Sequence, residues 1–346
     1  MRKILLTIVL FSAFVIPVSA MEFSAPTVPD VGEKYMPEDT ESFGEGVWYI
    51  FKSAVSAVQP ELAQSGKICL SLIAVCLLIS VLKLVSSRTE IVYELVAVVV
   101  IGTLLFNTSN TLIRLSAESA KELSDYGKLL LPVMTGAMAA QGGVTTSAAL
   151  YAGTVLFNSV LSSVISNLLV PMVYVYLCLS MAARATQDDM VVKLQSFLKW
   201  CCTWCIKTVL YIFTGYMTIS GVVSGTADAS AVKAAKLTIS GVVPVVGGII
   251  ADASEAVLIG AGVMKSTAGI YGLLAILAIW IGPFLQIGIQ YILLKLTSGA
   301  CASFGGKQSA GFIEDISSAM GLLLAMVSSI CLLHLISTVC FMRGIA

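Results

Sequence analysis

Long apolar runs separated by brief polar breaks fill most of this chain. Runs at 68–86, 91–113, 200–223, 267–297 and 316–341 each approach or exceed the roughly 20 residues an α-helix needs to cross a bilayer. Each predicts a span. Lys83 and Arg88 mark a tight turn between the first two, where Lys83 can snorkel to the interface. A further greasy stretch, GVVPVVGGIIADASEAVLIGAG, runs from Gly241 to Gly262. Segment 129–183 is long for two spans and short for three. Its Pro132, Pro171 and Gly142-Gly143 pair predict breaks, which membrane depth tolerates only against protein or a wet cavity. That segment is therefore read as interior, with room for one half-spanning hairpin. Counted as one net crossing it gives seven crossings in all; counted as three it gives nine.

The polar breaks have their own patterns. RLSAESAKELSDYGK (114–128) spaces Glu118, Lys121, Glu122 and Asp125 as a helix would, and is expected to be a solvated connector. Stretches 184–199 and 224–238 are polar linkers, and 298–315 is rich in Gly and Ser. Val47, Ile50, Phe51, Ala54, Val55 and Val58 recur at helical spacing beside Trp48 and Tyr49. This predicts a short helix on the outer face of the membrane, with a helix packed on protein as the alternative.

The start of the chain sets the expected orientation. Arg2 and Lys3 precede an apolar core, Ile4 to Ile16, and Val18-Ser19-Ala20 has small residues at the cleavage positions. Residues 1–20 are read as a signal peptide. Residues 21–66 form an extracytoplasmic segment with eight acids, two lysines and four prolines, extended in its first half. Residues 67–346 form the multi-spanning membrane domain. An exported N-terminus and an odd number of crossings place Arg343 inside, with Lys83, Arg88, Arg184, Lys193, Lys199 and Lys265.

Composition supports this class. Charged residues make up 12% of the chain, against about 25% in soluble domains. Hydrophobic residues make up 58%, and the mean hydropathy is +0.95. The expected fold is an all-α, polytopic helical integral membrane protein with kinked helices and room for a re-entrant one. Its environment is the lipid bilayer. A formal net charge of zero gives no ground for nucleic-acid binding. Cys201-Cys202-x-x-Cys205 lacks a second ligand pair and is read as buried small hydrophobes; no metal or other cofactor is expected. The only histidine, His334, lies in the last apolar run and is read as a hydrogen-bonded residue of a helix interface. No Walker loop, Ser/His/Asp set or His-Glu-x-x-His motif appears, so no enzyme chemistry is expected.

Two acids in the Gly241–Gly262 stretch ask for an explanation. Asp252 and Glu255 share a helix face. Each costs roughly 2.5–3.5 kcal/mol at mid-bilayer, so both must face a neighbour, a wet gap or the interface. Pro244 and Gly247-Gly248 suit a bend just before them. One reading has Asp252 starting a half-helix, where the dipole favours an acid. The other makes the acids a lining for a polar path or a docking surface. Gln286 and Gln290, one turn apart, are placed to bond across helices.

Three strings carry a family resemblance: TISGVVPVVGGIIADASEAVLIGAGVMKSTAGIYGLLAI (238–276), LLLPVMTGAMAAQGG (129–143) and IGPFLQIGIQYILLKL (281–296). They resemble the stage III sporulation protein AE family, from roughly residue 45 to the C-terminus. The resemblance implies a polytopic protein of endospore formers, resident in the mother-cell membrane around the engulfed forespore. As partners it implies the other stage III A sporulation proteins, among them the ATPase-like AA protein and the ring-forming AG and AH proteins, and forespore protein Q. Together they would form a channel or secretion-like complex that sustains forespore development and late forespore gene expression. The family supplies no catalytic residues. Two other functions stand beside this one, a stand-alone secondary transporter or permease and a non-transporting membrane scaffold. Gly142-Gly143 after Pro132 and Gly247-Gly248 after Pro244 make only a faint echo of a transporter's internal repeat.

Overall fold

Sequence patterning calls for helices throughout, and the computed structural model has no other regular element among the residues it describes: 25–37, 42–85, 90–140, 144–219, 267–304 and 306–345. We label the helices α1 (Asp30–Glu33), α2 (Phe43–Val85), α3 (Glu90–Ala140), α4 (Val144–Val164), α5 (Val170–Thr186), α6 (Asp189–Ile219), α7 (Thr267–Ser303) and α8 (Lys307–Ile345). A π-helical turn, Ile165–Leu169, joins α4 to α5. Residues 1–24 and 220–266, which carry the expected signal peptide and the Gly241–Gly262 stretch, lie outside the described residues.

The helices are longer than the spans expected of them. α2, α3, α7 and α8 have 43, 51, 37 and 39 residues. At 1.5 Å per residue they reach roughly 55–77 Å, about twice the hydrocarbon core of a bilayer. The short helix expected at Val47–Val58 and the span at 68–86 are one helix, α2, with Pro60 inside it. Its Ile50, Ala54 and Val58 are buried while Trp48 is exposed, so the start of α2 packs on protein. The span at 91–113 likewise continues unbroken through 114–128. That polar segment is no freely solvated connector: Ser116, Ser119, Ala120, Leu123 and Ser124 are buried. Glu118, Lys121 and Asp125 stay on the other face, and Lys128 pairs with Asp125 at 2.7 Å. One polar stripe on a helix does not require a break.

Segment 129–183 holds no half-spanning hairpin among its described residues. α3 passes through Pro132 to Ala140, and Val144–Thr186 is one continuous rod. Pro171 lacks an N–H and would cost an ordinary α-helix about 3 kcal/mol. Here the turn before it widens, and Val170 N–H bonds back to the Ile165 carbonyl. The π turn admits the proline without ending the helix.

Among the described residues five stretches are long and apolar enough to cross a membrane: Phe43–Lys83, Val92–Ala140, Val144–Thr186, Gly269–Ser303 and Lys307–Met342. α6 is not among them. α6 is described only to Ile219, and the crossing expected at 200–223 ends outside the described residues. Phe197, Trp200 and Trp204 form an exposed stacked ladder on α6, with centroids 6.0 and 6.1 Å apart. Such a ladder suits the headgroup zone.

Apolar helices serve two purposes here. In the most apolar 18 residues of α8, 94% are buried in the protein, against 22% in α2. α8 runs through the centre, packed by α3, α4, α5, α6 and α7. The lipid-facing surface comes instead from Leu70, Leu77 and Val81 of α2 and Val92, Val96 and Phe106 of α3, all exposed.

Helix direction alternates. The end of α2, the start of α3, the end of α5 and the start of α8 meet at one end, where Glu94 pairs with Lys83 and accepts from Ser309. α8 then runs to the far end, where Met342 lies against Gly269 at the start of α7. The end of α8 that carries residue 343 is thus opposite Lys83 and Arg184. This corrects the expectation that Arg343 shares their side.

α1 is tied to this core. Tyr35 is 1% exposed, with its ring against Gly282, and Gly32 lies against Ile279 of α7. The segment expected to be extended is docked from Ala25 to Pro37. We predict that Tyr35→Ala lowers unfolding stability in detergent by about 3 kcal/mol and opens 25–37 to protease. Unchanged melting and unchanged cleavage would show that the docking is absent.

Candidate functional site

Three polar groupings interrupt the apolar packing. The first is a cleft on the flank. α2, α3 and α7 wall a half-open cleft of about 230 Å³ at mid-length. Glu61 and Gln64 line it from α2, Asn107 and Thr111 from α3, and Gln286 and Gln290 from α7. Helical spacing puts Gln286 and Gln290 on one face. Gln286 Nε2 donates to Glu61 Oε1 at 2.8 Å across the α2–α7 contact. Gln290 is 2% exposed, and neither its amide nitrogen nor its amide oxygen has a partner. The exposed apolar face of α3 ends at Phe106, and Asn107 begins the cleft wall. The cleft therefore opens where the lipid-facing surface gives way to polar surface.

The second grouping is central and closed. Asn158 Nδ2 donates to the Ser124 carbonyl at 3.1 Å, and Asn158 Oδ1 lies 3.2 Å from His334 Nε2. With Oδ1 facing the ring, Nε2 carries the proton. Thr154 Oγ1 donates to Ser337 Oγ at 3.1 Å beside it. Gly127 makes room for the imidazole: a Cβ there would overlap His334 Cε1. His334 is a hydrogen-bonded residue of a helix interface, as its setting in the sequence suggests. Its partners were not legible, because Ser124, Gly127 and Asn158 lie on other helices far away in the chain.

The third grouping clamps the start of α8. Arg184 Nε donates to Asp315 Oδ2 at 2.8 Å, and Gly311 lies against the guanidinium. Lys295 pairs with Glu314, and Lys199 Nζ donates to Ser318 Oγ at 3.0 Å. Burial pushes the Lys199 ammonium below its ordinary value, and Asp315 and Glu314 push it back up. Gln195 adds a bond to Ser180 at 2.9 Å. Arg184, Lys199 and Lys295 from three helices are thus all bonded to the start of α8.

Of the residues singled out in the sequence, Gln286 and Gln290 come together in the flank cleft. Asp252, Glu255, Pro244, Gly247 and Gly248 lie outside the described residues. Cys202 is buried, with Cys201 and Cys205 half-buried beside it.

Helices long and apolar enough for a bilayer, wrapped around a helix that sees almost none of it, define a polytopic α-helical membrane protein. The family model for Stage III sporulation protein AE matches residues 34–344, and the chain belongs to that family. It is 22% identical over 303 residues to the Stage III sporulation protein AE of Bacillus subtilis (strain 168), covering 86% of this chain and 75% of that protein. No solved structure matches it.

The His334 pocket can be tested directly. Gly127→Ala should destabilise the protein in detergent by about 1–3 kcal/mol through overpacking. In a His334→Ala background most of that loss should vanish, as a double-mutant cycle on melting would show. Equal losses in both backgrounds would mean that Gly127 and His334 are not in contact.

Proposed function

We propose that this protein is the membrane subunit of the sporulation stage III A channel or secretion-like complex that links mother cell and forespore. The observation that carries this reading is the family match over residues 34–344. The fold is compatible with it: closely packed helices with glycines at their contacts, polar groups among apolar helices, and helices longer than a bilayer needs, with room to meet soluble partners. On this reading the protein lies in the mother-cell membrane around the forespore. It works with the ATPase-like AA protein, the ring-forming AG and AH proteins and forespore protein Q, and it is needed for late forespore gene expression. Residues 1–20 act as its signal peptide, and 21–66 face the space between the two cells. Asp252 and Glu255, after the bend at Pro244 and Gly247-Gly248, line a polar path or start a half-helix there. No catalytic role is assigned.

Two measurements in sporulating cells check this. Deleting the gene should abolish late forespore transcription and heat-resistant spores, and a tagged copy should recover the AA, AG and AH proteins. Normal spores after deletion would overturn the proposal. The paired substitution Asp252→Asn with Glu255→Gln separates the roles of the acids. Lost transcription with normal protein level and normal partner recovery marks a path, whereas loss of the protein itself marks a structural role.

A further inference from the structure

We propose that the cleft between α2, α3 and α7 binds a small amino alcohol: a primary ammonium with an oxygen beside it. The inference concerns this subunit alone and does not rest on its place in an assembly. The charge of the lining comes first. Glu61 is an acid, and no Lys, Arg or His stands in the wall. A cation is therefore favoured there over a free anion, less strongly because the Lys34 charge also reaches Glu61, and a phosphate joined to that cation has to stay outside the wall. In a cleft half-walled by protein, that preference is larger than in open water. Gln286 holds the Glu61 carboxylate with one N–H, and a carboxylate has room for more donors.

Size then separates an organic cation from a bare metal ion. A volume of about 230 Å³ holds roughly eight waters at about 30 Å³ each. That suits a molecule of a few heavy atoms. Gln290 supplies the second half of the recognition. Gln290 lines the cleft with both amide atoms unpaired but shut from water, and once its side chain turns outward it can both give and take a hydrogen bond. An ammonium can satisfy Glu61 and the amide oxygens. A neighbouring hydroxyl or ester oxygen can accept from Gln290 Nε2. Thr108, Thr111 and Ser65 add hydroxyls that serve either role. The cleft opens at the edge of the lipid-facing surface, so the same chemistry can arrive as free ethanolamine or as the headgroup of an ethanolamine phospholipid.

The experiment uses the full-length protein in phosphatidylcholine nanodiscs, titrated with ethanolamine by calorimetry. Ethanolamine should bind saturably. Ethylene glycol, which lacks the charge, and choline, which lacks the N–H donors, should bind about 10-fold more weakly or not at all, since a hydrogen bond to a charged group contributes that much. Glu61→Gln and Gln290→Leu should each weaken ethanolamine by about 10-fold with melting unchanged. Thr111→Val, at an exposed position, serves if Gln290→Leu does not fold. Adding phosphatidylethanolamine to the discs should remove the ethanolamine heat if the lipid is the natural source and leave it intact if the free amine is. Ethanolamine binding no tighter than ethylene glycol, or unchanged by Glu61→Gln, overturns the proposal. Neither result touches the assembly reading, which is tested in cells.

Discussion

The enclosure of α8 is the constraint that the rest of the structure answers to. A helix apolar around its whole circumference needs either lipid or protein on every side. α8 takes protein, and five other helices supply it. In a bilayer no hydrophobic force drives helices together, so close packing and hydrogen bonds must hold them. The close approaches are visible: His334 over Gly127, Arg184 over Gly311, Met342 against Gly269 and Leu130 against Gly272. Each puts a large side chain where a glycine leaves room. At the start of α8, ion pairs to α5 and α7 and the Ser309–Glu94 hydrogen bond to α3 fix its register, and the His334–Asn158 bond fixes it again further along.

This arrangement explains what the sequence could and could not reveal. Helicity was legible from the apolar runs, and so was the membrane class. Helix ends were not. Residues 114–128 read as a connector because their charges are conspicuous, yet those charges occupy one face while Ser116, Ala120 and Leu123 pack inward. Apolar runs also look alike whether lipid or protein covers them. Nothing in composition separates the exposed Leu77 and Val81 of α2 from the buried Leu323 and Val327 of α8. The side assigned to Arg343 failed for a related reason: an odd count of crossings was inferred from runs, and the direction of α8 was not. The shared face of Gln286 and Gln290 was legible from their spacing. Glu61 was not, since it stands 225 positions away from Gln286 in the chain.

The buried polar groups fall into two kinds. Around α8 most of them are satisfied within the protein, often by Ser and Thr hydroxyls returning to a carbonyl one turn back, as Ser337 and Thr338 do. Such bonds satisfy each hydroxyl within its own helix. The flank cleft breaks that pattern. It gathers amides, hydroxyls and an acid around open volume and leaves Gln290 unpaired. Polar groups that finish their bonding internally hold a bundle together; a group left unfinished beside a cavity marks where something else belongs.

The length of α2 and α3 has a mechanical consequence. Neither rod is interrupted between its water-facing and lipid-facing halves, although each carries a proline. An unbroken helix resists bending and so behaves as a lever. A sideways push delivered to the start of α2 or the end of α3 by a soluble neighbour would swing the lipid-facing half in the opposite sense, with the contacts of α2 on α7 and of α3 on α8 as the fulcrum.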